Sequence, residues 1–122
     1  MDIQAKRFKN NYETTFVLSP ELSEEERKTT VEKFVQLIQS NEGSIQSSED
    51  WGLRKLAYVI EAKTNGYYTF LEFSAYGDLI AKLETAYKYD EKVLRYLTVV
   101  LDKHAVAYNQ KRRENNFGLR KK

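Results

Sequence analysis

Two segments of this chain have the periodicity of helices with a single apolar stripe, and strand-like segments stand on both sides of each. In the first, Val31, Phe34, Val35 and Ile38 recur at intervals of three and four residues, which places them on one helix face. The second is predicted to begin near Gly77 and has a similar stripe, formed by Leu79, Ile80, Leu83, Ala86 and Tyr87. A helix with one apolar stripe must bury it against another element, so both helices are expected to pack on one face of a sheet.

The first helix also carries boundary signals at both ends. Ser23 and Glu26 have the spacing of a capping box, in which each side chain accepts a hydrogen bond from the other residue's backbone N–H. Asn41 and Gly43 are residue types that commonly end a helix. The first helix is therefore expected to lie between Ser23 and Asn41.

Alternating or aromatic and β-branched residues predict four strands, at residues 12–18, 44–60, 67–74 and 93–101. Between the second and third strands, Thr64-Asn65-Gly66 predicts a type I′ hairpin turn, because Asn-Gly accepts the positive φ angles that this turn needs. The order strand, helix, strand, strand, helix, strand is that of the split βαβ, or ferredoxin-like, arrangement. We therefore expect an α+β protein whose four-stranded antiparallel sheet has two helices on one face and the other face open.

The second strand contains two adjacent cations, Arg54 and Lys55. Successive strand residues point to opposite faces, so these two side chains cannot share one solvated face. A strand with cations on both sides is expected at a sheet edge or against a polyanion. The residues alone leave both interpretations open, namely protection of an edge and binding to a polyanion.

Composition and charge limit the class of protein. An apolar fraction of 41% indicates a globular chain, and no apolar run approaches the length of a membrane helix. The absence of cysteine excludes thiolate chemistry and favours a reducing compartment. Residues 111–122 carry six cations against Glu114, a pattern typical of chains that bind phosphates. We predict a basic extension at 1–11, a folded domain at 12–108, and a basic tail at 109–122 that is disordered after a fraying helix.

The sequence offers little for catalysis. His104 is the only histidine, and no nucleophile or paired carboxylate is spaced around it. The carboxylates of Glu24, Glu25 and Glu26 point in successive directions around a helix start, where the helix dipole already accounts for them. The scattered glycines form no phosphate-binding loop. The chain is therefore predicted to be a binding protein without enzymatic activity, cofactor, metal or small-molecule substrate.

Cations and aromatic residues together favour RNA as the ligand. The cations are Arg54 and Lys55, together with Lys88, Lys92 and Arg95 around the link between the second helix and the last strand. The aromatic residues near them are Trp51, Tyr58, Tyr87, Tyr89 and Tyr96. Cations neutralise phosphates, and exposed rings stack on bases or riboses. Tyr87 belongs to an apolar helix stripe and is expected in the core, whereas Tyr89 and Tyr96 are left open.

Two other functions remain open from the residues. Four residues of the third strand fit the pattern of an RRM, which would bind single-stranded RNA, namely Tyr68, Phe70, Leu71 and Phe73, although Gly66 replaces the leading cation of that pattern. The same element order also suits a protein-interaction module that dimerises through a sheet edge or the open face. Gel filtration separates such a dimer from a monomeric RNA-binding protein.

Residues 52–60, with the sequence Gly-Leu-Arg-Lys-Leu-Ala-Tyr-Val-Ile, match a signature strand of a known family nearly residue for residue. Further matches are Tyr12-Glu13 with Pro20, and residues 83–90 running into Val93-Leu94-Arg95. On these motifs the chain resembles bacterial small-subunit ribosomal protein six over about residues 12–108. It departs from the family at Val59, where many members have proline, and at Glu61, where a small or basic residue is usual.

The resemblance implies a structural constituent of the small ribosomal subunit in the cytoplasm. It implies binding to the central domain of small-subunit ribosomal RNA, beside small-subunit ribosomal protein eighteen. The residues then expected at the partner protein are Trp51, Leu53, Arg54, Lys55 and Tyr58. Those expected at RNA are Arg54, Lys55, Lys88, Lys92, Arg95, Lys111, Arg112, Arg113, Arg120, Lys121 and Lys122. The family's strand order also implies that the strand with Arg54 and Lys55 lies at a sheet edge.

Overall fold

Four strands and three helices follow one another in residues 8–120, which the computed structural model describes, with side chains described as far as Arg112. They are β1 (Asn10–Leu18), α1 (Glu24–Ser40), β2 (Ser44–Ile60), β3 (Lys63–Ala75), α2 (Asp78–Lys88), β4 (Val93–Leu101) and α3 (Lys103–Arg120). The sheet order is β2-β3-β1-β4, and all neighbouring strands are antiparallel. The ferredoxin-like prediction is confirmed, and β2 lies at an edge as expected. Most of the predicted N-terminal extension, residues 1–7, lies outside the described residues.

The predicted boundaries of α1 are confirmed. Ser23 Oγ accepts from the Glu26 backbone N–H at 3.1 Å, and Glu26 Oε1 accepts from the Ser23 N–H at 2.8 Å. The hydrogen bond from the Ser23 backbone is the main reason that the pKa of Glu26 lies below its ordinary value. At the other end, Asn41 caps the helix through its backbone N–H. These local bonds satisfy groups that a helix end leaves unpaired.

The core lies between the sheet and the helices α1 and α2. Phe16 of β1, Phe34 of α1 and Tyr87 of α2 are fully buried, and their ring centroids are 4.6–5.3 Å apart. Tyr96 of β4 lies against Tyr87 at 5.2 Å, so both tyrosines belong to this face. The core position predicted for Tyr87 is confirmed, and the open question about Tyr96 is answered in favour of packing.

A buried chain of hydroxyl groups crosses the core. Thr14 Oγ1 lies 2.9 Å from Tyr87 Oη and 2.8 Å from Thr98 Oγ1, which ties β1 to α2 and β4. Burial raises the pKa of Tyr87 well above its ordinary value, so its phenol remains protonated. The network satisfies polar atoms that would otherwise be costly to bury.

The predicted hairpin turn at Thr64-Asn65-Gly66 is wrong. The turn lies at Glu61 and Ala62, which have φ angles of 50° and 66°, and Ile60 pairs with Lys63 across it. Gly66 lies inside β3 and pairs with Arg54. A Cβ atom at Gly66 would lie 2.3 Å from Val17 Cγ1, so this glycine permits close packing of side chains and does not form a turn.

The end of the β2–β3 hairpin is irregular and reaches back over the sheet. Residues 56–59 of β2 lie opposite the single β3 residue Thr64, which is an irregular bulge of four residues against one. Within it, Leu56 is buried, and its Cδ2 atom lies 3.5 Å from the Cβ position of Gly66. We call residues 56–62 the hairpin arm. The bulge turns this arm toward β4, at the opposite edge.

The expectation of an open second face is corrected by α3. We define the second face as the side of the sheet opposite α1 and α2, which carries Glu13, Glu49, Phe70, Glu72 and Leu97. Arg112 of α3 pairs with Glu49 there, with Nη2 and Oε2 3.4 Å apart. α3 continues to Arg120, so the expected start of a disordered tail at residue 109 falls inside a helix. No apolar stripe marks α3, so its sequence could not show that it packs on the sheet.

Candidate RNA and partner interface

The exposed edge of β2 carries a cation stacked on an aromatic ring. The Arg54 guanidinium lies 5.1 Å from the centre of the Trp51 ring, and Arg54 Nε donates to the Trp51 carbonyl at 3.1 Å. The Trp51 ring packs on Phe70 at 4.6 Å, and its indole N–H donates to Glu49 Oε1 at 2.9 Å. Arg54 is therefore held in place while its charge stays in solvent.

A bulge at Gly52 determines which face of the sheet the side chains after it point to. The pairing of β2 with β3 shifts between Asp50 and Gly52, where Gly52 has φ of 73° and donates its N–H to Asp50 Oδ1 at 2.9 Å. Beyond the bulge, Arg54 pairs with Gly66 and Lys55 with Asn65, so the two cations point to opposite faces as predicted. Lys55 and Leu53 are both exposed.

The hairpin arm brings Tyr58 into contact with Arg95, although the two candidate site residues belong to different strands. Tyr58, exposed on the arm, lies 5.3 Å from the guanidinium of Arg95 on β4. Arg95 is also exposed. The bend of the arm creates this contact between strands at opposite edges. No spacing in the sequence could have predicted it, since Tyr58 and Arg95 are distant along the chain.

The link from α2 to β4 is ordered by one carboxylate. Asp90 is 9% exposed, pairs with Lys33 of α1, and accepts the Lys92 backbone N–H at Oδ1, 2.9 Å away. Lys88 and Lys92, on either side of it, are exposed. Burial alone would raise the pKa of Asp90, but these two hydrogen bonds and the two ammonium charges outweigh it and hold the pKa below its ordinary value.

Replacing Asp90 with asparagine is expected to reduce the free energy of unfolding at neutral pH and to flatten its dependence on acid pH. Because the pKa of Asp90 is lowered in the folded state, its contribution is complete above the unfolded pKa of about 3.9 and is lost as the pH falls through the folded value. Urea unfolding of both proteins across this range tests it. Glu91→Gln, at an exposed neighbour, is the control, and a constant difference between wild type and Asp90→Asn at every pH would contradict the prediction.

Two lysines that share a cleft with the predicted cations Lys88 and Lys92 were not singled out from the sequence. An open cleft of about 1080 Å³ is lined by Lys33 and Lys63 as well as by Lys88 and Lys92. Carboxylates also line it, including Glu61. Lys63 was missed because the turn was predicted four residues too late, at Asn65-Gly66 in place of Glu61-Ala62, and Lys33 was missed because it stands on the polar side of α1. A correct position for the turn would have revealed the first.

The edge strand β4 exposes an apolar group that was also missed. Leu97, Val99 and Val100 are exposed, Leu97 and Val100 by 62% and 64%. The signal was the run Leu97-Thr98-Val99-Val100-Leu101, in a strand that the structure places at a sheet edge. Apolar residues along an unpaired edge favour contact with another protein.

The basic tail is only partly described. Lys111 is exposed, whereas Arg112 is half-buried and pairs with Glu49. Arg113 and Arg120 lie in α3, but their side chains are outside the described part, and Lys121 and Lys122 lie beyond it altogether. In this structure, therefore, Arg112 contacts protein, and its predicted contact with RNA stays a prediction.

Chemistry other than binding has no support in the described residues. Within them, His, Asp and Glu form no group of three that could hold a metal ion. His104 is exposed in the first turn of α3. No helix described between residues 8 and 120 is both long and apolar enough to cross a membrane.

Comparison with known proteins agrees with the fold. Residues 11–100 match the family model of ribosomal protein S6. The small ribosomal subunit protein bS6 of Christiangramia forsetii is 50% identical over 107 residues, 88% of this chain and 96% of that protein. The bS6 of Porphyromonas gingivalis is 50% identical over 104 residues, 85% of this chain and 89% of that protein. The crystal structure of 30S ribosomal protein S6 from Thermotoga maritima superposes with a TM-score of 0.74 at 29% identity, covering 88% of this chain and 98% of that one.

Proposed function

This chain belongs to the ribosomal protein S6 family, whose members are non-enzymatic components of the small ribosomal subunit, and from that premise we propose that it binds the central domain of small-subunit ribosomal RNA beside small-subunit ribosomal protein eighteen. The observation that carries the proposal is the pair of exposed cation–ring contacts, Arg54 on Trp51 and Arg95 on Tyr58. They lie at the two edges of one rigid sheet.

These contacts suit a folded RNA. A guanidinium supported by a ring loses less conformational freedom when it binds a phosphate than a free side chain does. Among the described residues, no carboxylate forms an ion pair with Arg54 or Arg95. Lys88 and Lys92 add two more exposed charges beside the same surface. Since the base edges of double-helical RNA are hidden in a deep groove, recognition is expected to depend on RNA shape and phosphate positions.

The partner protein is assigned to the β2 edge. Trp51, Leu53 and Tyr58 are large exposed side chains on this strand, and Arg54 and Lys55 stand between them. Aromatic residues and arginine are the types that contribute most to protein interfaces. A partner bound along β2 would also cover the unpaired backbone groups of the edge.

The affinity for a central-domain RNA junction is expected to fall with salt, and each phosphate-binding cation that is removed should make the slope of log K against log salt shallower by about 0.7–0.9. Arg54→Ala and Lys88→Ala are the test variants, measured by filter binding over a salt series. Lys28→Ala is the control because Lys28 is also exposed on a helix and is not among the cations proposed to bind RNA. A slope that is the same in Lys88→Ala as in wild type would remove Lys88 from the interface. An affinity that does not depend on salt would contradict RNA binding through phosphates.

The apolar β4 edge supports a second candidate, self-association. Leu97, Val99 and Val100 could pair with the same strand of a second copy. Gel filtration at several concentrations distinguishes the two: a dimer that Val100→Lys dissociates and that ignores RNA supports the interaction module. A monomer that gains RNA affinity when protein eighteen is added supports the ribosomal function.

A further inference from the structure

The helix α3 crosses the second face of the sheet from one edge to the other. It begins at Lys103, directly after β4 at one edge, and Arg112 reaches Glu49 of β2 at the other edge. Between these residues a helix rises by about 14 Å at roughly 1.5 Å per residue, and three strand spacings of about 4.8 Å span the same distance. α3 therefore runs across the strands, over β1 and β3.

The contact joins an acidic surface to a basic helix. Glu13 and Glu72 are register partners in the two central strands, and Glu49 stands next to them on β2. Glu72 is only 3% exposed although it faces away from α1 and α2, as expected beneath a crossing helix. Arg112 pairs with Glu49, and Lys111 stands beside it in a segment with six cations. Among the described side chains, Arg112 and Glu49 are the opposite charges that meet on this side of the sheet.

Apolar packing contributes little to this contact. The half-buried residues of α3 are Ala105, Val106, Asn109 and Arg112, and in the part with described side chains none is fully buried. By contrast, α1 and α2 bury Phe34, Ile38 and Leu83 completely. Since the hydrophobic contribution scales with the apolar area removed from water, the part of α3 with described side chains gains little from it, and the Arg112–Glu49 ion pair is its contact with the far edge of the sheet. Salt screens such partly exposed ion pairs.

We propose that α3 is a displaceable cover of the second face, held there by the Arg112–Glu49 pair, and that RNA and the sheet compete for its cations. A guanidinium bound to Glu49 cannot bind a phosphate with the same N–H groups. Glu49 accepts a hydrogen bond from Arg112 at Oε2 and one from the Trp51 indole at Oε1, so α3 contacts the β2 edge where the partner protein is proposed to bind. RNA that takes α3 away uncovers Glu49, beside the partner residues of β2 that are already exposed. The competition step rests on the proposed function, since it requires that α3 bind RNA.

The absence of cysteine in the chain makes a direct test possible. A spin label on Gln110→Cys, at an exposed position of α3, is expected to broaden the amide NMR signals of Phe70 and Glu72 in the full chain. Arg112→Glu should return these signals to their intensities in the diamagnetic sample, because it places two carboxylates together. Lys111→Glu is the matched control, with the same charge change at an exposed neighbour, and should keep the broadening. The double variant Arg112→Glu with Glu49→Arg, which exchanges the two charges, should restore the broadening.

Different outcomes test the two parts of the proposal, namely that the Arg112–Glu49 pair holds α3 on the sheet and that RNA competes for α3. If the broadening persists in Arg112→Glu, or is lost equally in Lys111→Glu, then the Arg112–Glu49 pair does not hold α3 on the second face. Central-domain RNA should remove the broadening of Phe70 and Glu72 in the labelled chain with wild-type Arg112. If the RNA shifts the signals of Arg54 and Arg95 but the broadening remains, then RNA does not compete with the sheet for α3. If the RNA shifts no signals, the proposed function fails, while the comparison of Arg112→Glu with Lys111→Glu still decides the cover.

Discussion

Replacing Phe34 with alanine is expected to lower the free energy of unfolding by about 3–5 kcal/mol. Phe34 is 0% exposed, and its ring lies 5.2 Å from Phe16 and 4.6 Å from Tyr87. The substitution removes both ring contacts and leaves a cavity at the point where α1, α2 and β1 meet. Because small domains have total stabilities of roughly 5–15 kcal/mol, the variant should unfold at a much lower urea concentration, which circular dichroism measures.

Phe8→Ala is the matched control for this loss. Phe8 is 78% exposed, so the same substitution removes little buried area. Its effect is expected within about 0.5 kcal/mol. Equal effects at the two positions would show that Phe34 does not anchor the core.

Replacing Gly66 with alanine is expected to cost about 1–3 kcal/mol and to weaken RNA binding as well. The new Cβ would lie 2.3 Å from Val17 Cγ1 and 3.2 Å from the Leu18 carbonyl, so strand β1 or the side chain of Val17 must move. Leu56 of the hairpin arm packs at the same point. Its displacement should move Tyr58 away from Arg95. Thermal unfolding measures the first effect, and the RNA salt titration measures the second.

Gly77→Ala is the control for this substitution. At Gly77 the nearest atom to a new Cβ is Tyr12 Oη at 3.6 Å, which is an ordinary contact. Its backbone is in the right-handed helical region, which alanine adopts readily. The stability of Gly77→Ala should therefore equal or exceed that of the wild type. If Gly66→Ala is as stable as Gly77→Ala, the close packing of the hairpin arm on β1 is not required.

At the hairpin turn, tertiary packing overrides a local turn signal in the sequence. Asn65-Gly66 is the strongest turn signal of the segment, yet both residues lie in β3 and pair with β2. The turn is made by Glu61 and Ala62, residue types for which positive φ is costly. Closing the hairpin there lets Gly66 lie against Val17, and lets Leu56 be buried over it. Packing on the sheet therefore outweighs the conformational preference of the turn residues.

At the candidate interface too, some features follow from the sequence and others depend on the tertiary structure. The edge position of β2 and the opposite directions of Arg54 and Lys55 follow from the period of two and the element order, and both are confirmed. The sequence also named Arg95 and Tyr58. It could not pair them, because their contact depends on the bulge in residues 56–59 and on strands at opposite edges of the sheet.

By itself, the sequence determined the element order, the capping of α1, the apolar stripes of α1 and α2, and membership of the ribosomal protein S6 family. These features rest on hydrogen bonds and periodicities between residues a few positions apart, which residue types control directly. Only the tertiary structure decided the turn at Glu61, the stacking of Tyr58 on Arg95, and the pairing of Arg112 with Glu49, two residues that are 63 positions apart. Such contacts depend on which surfaces the whole sheet leaves uncovered, and that is known only once every strand has its place.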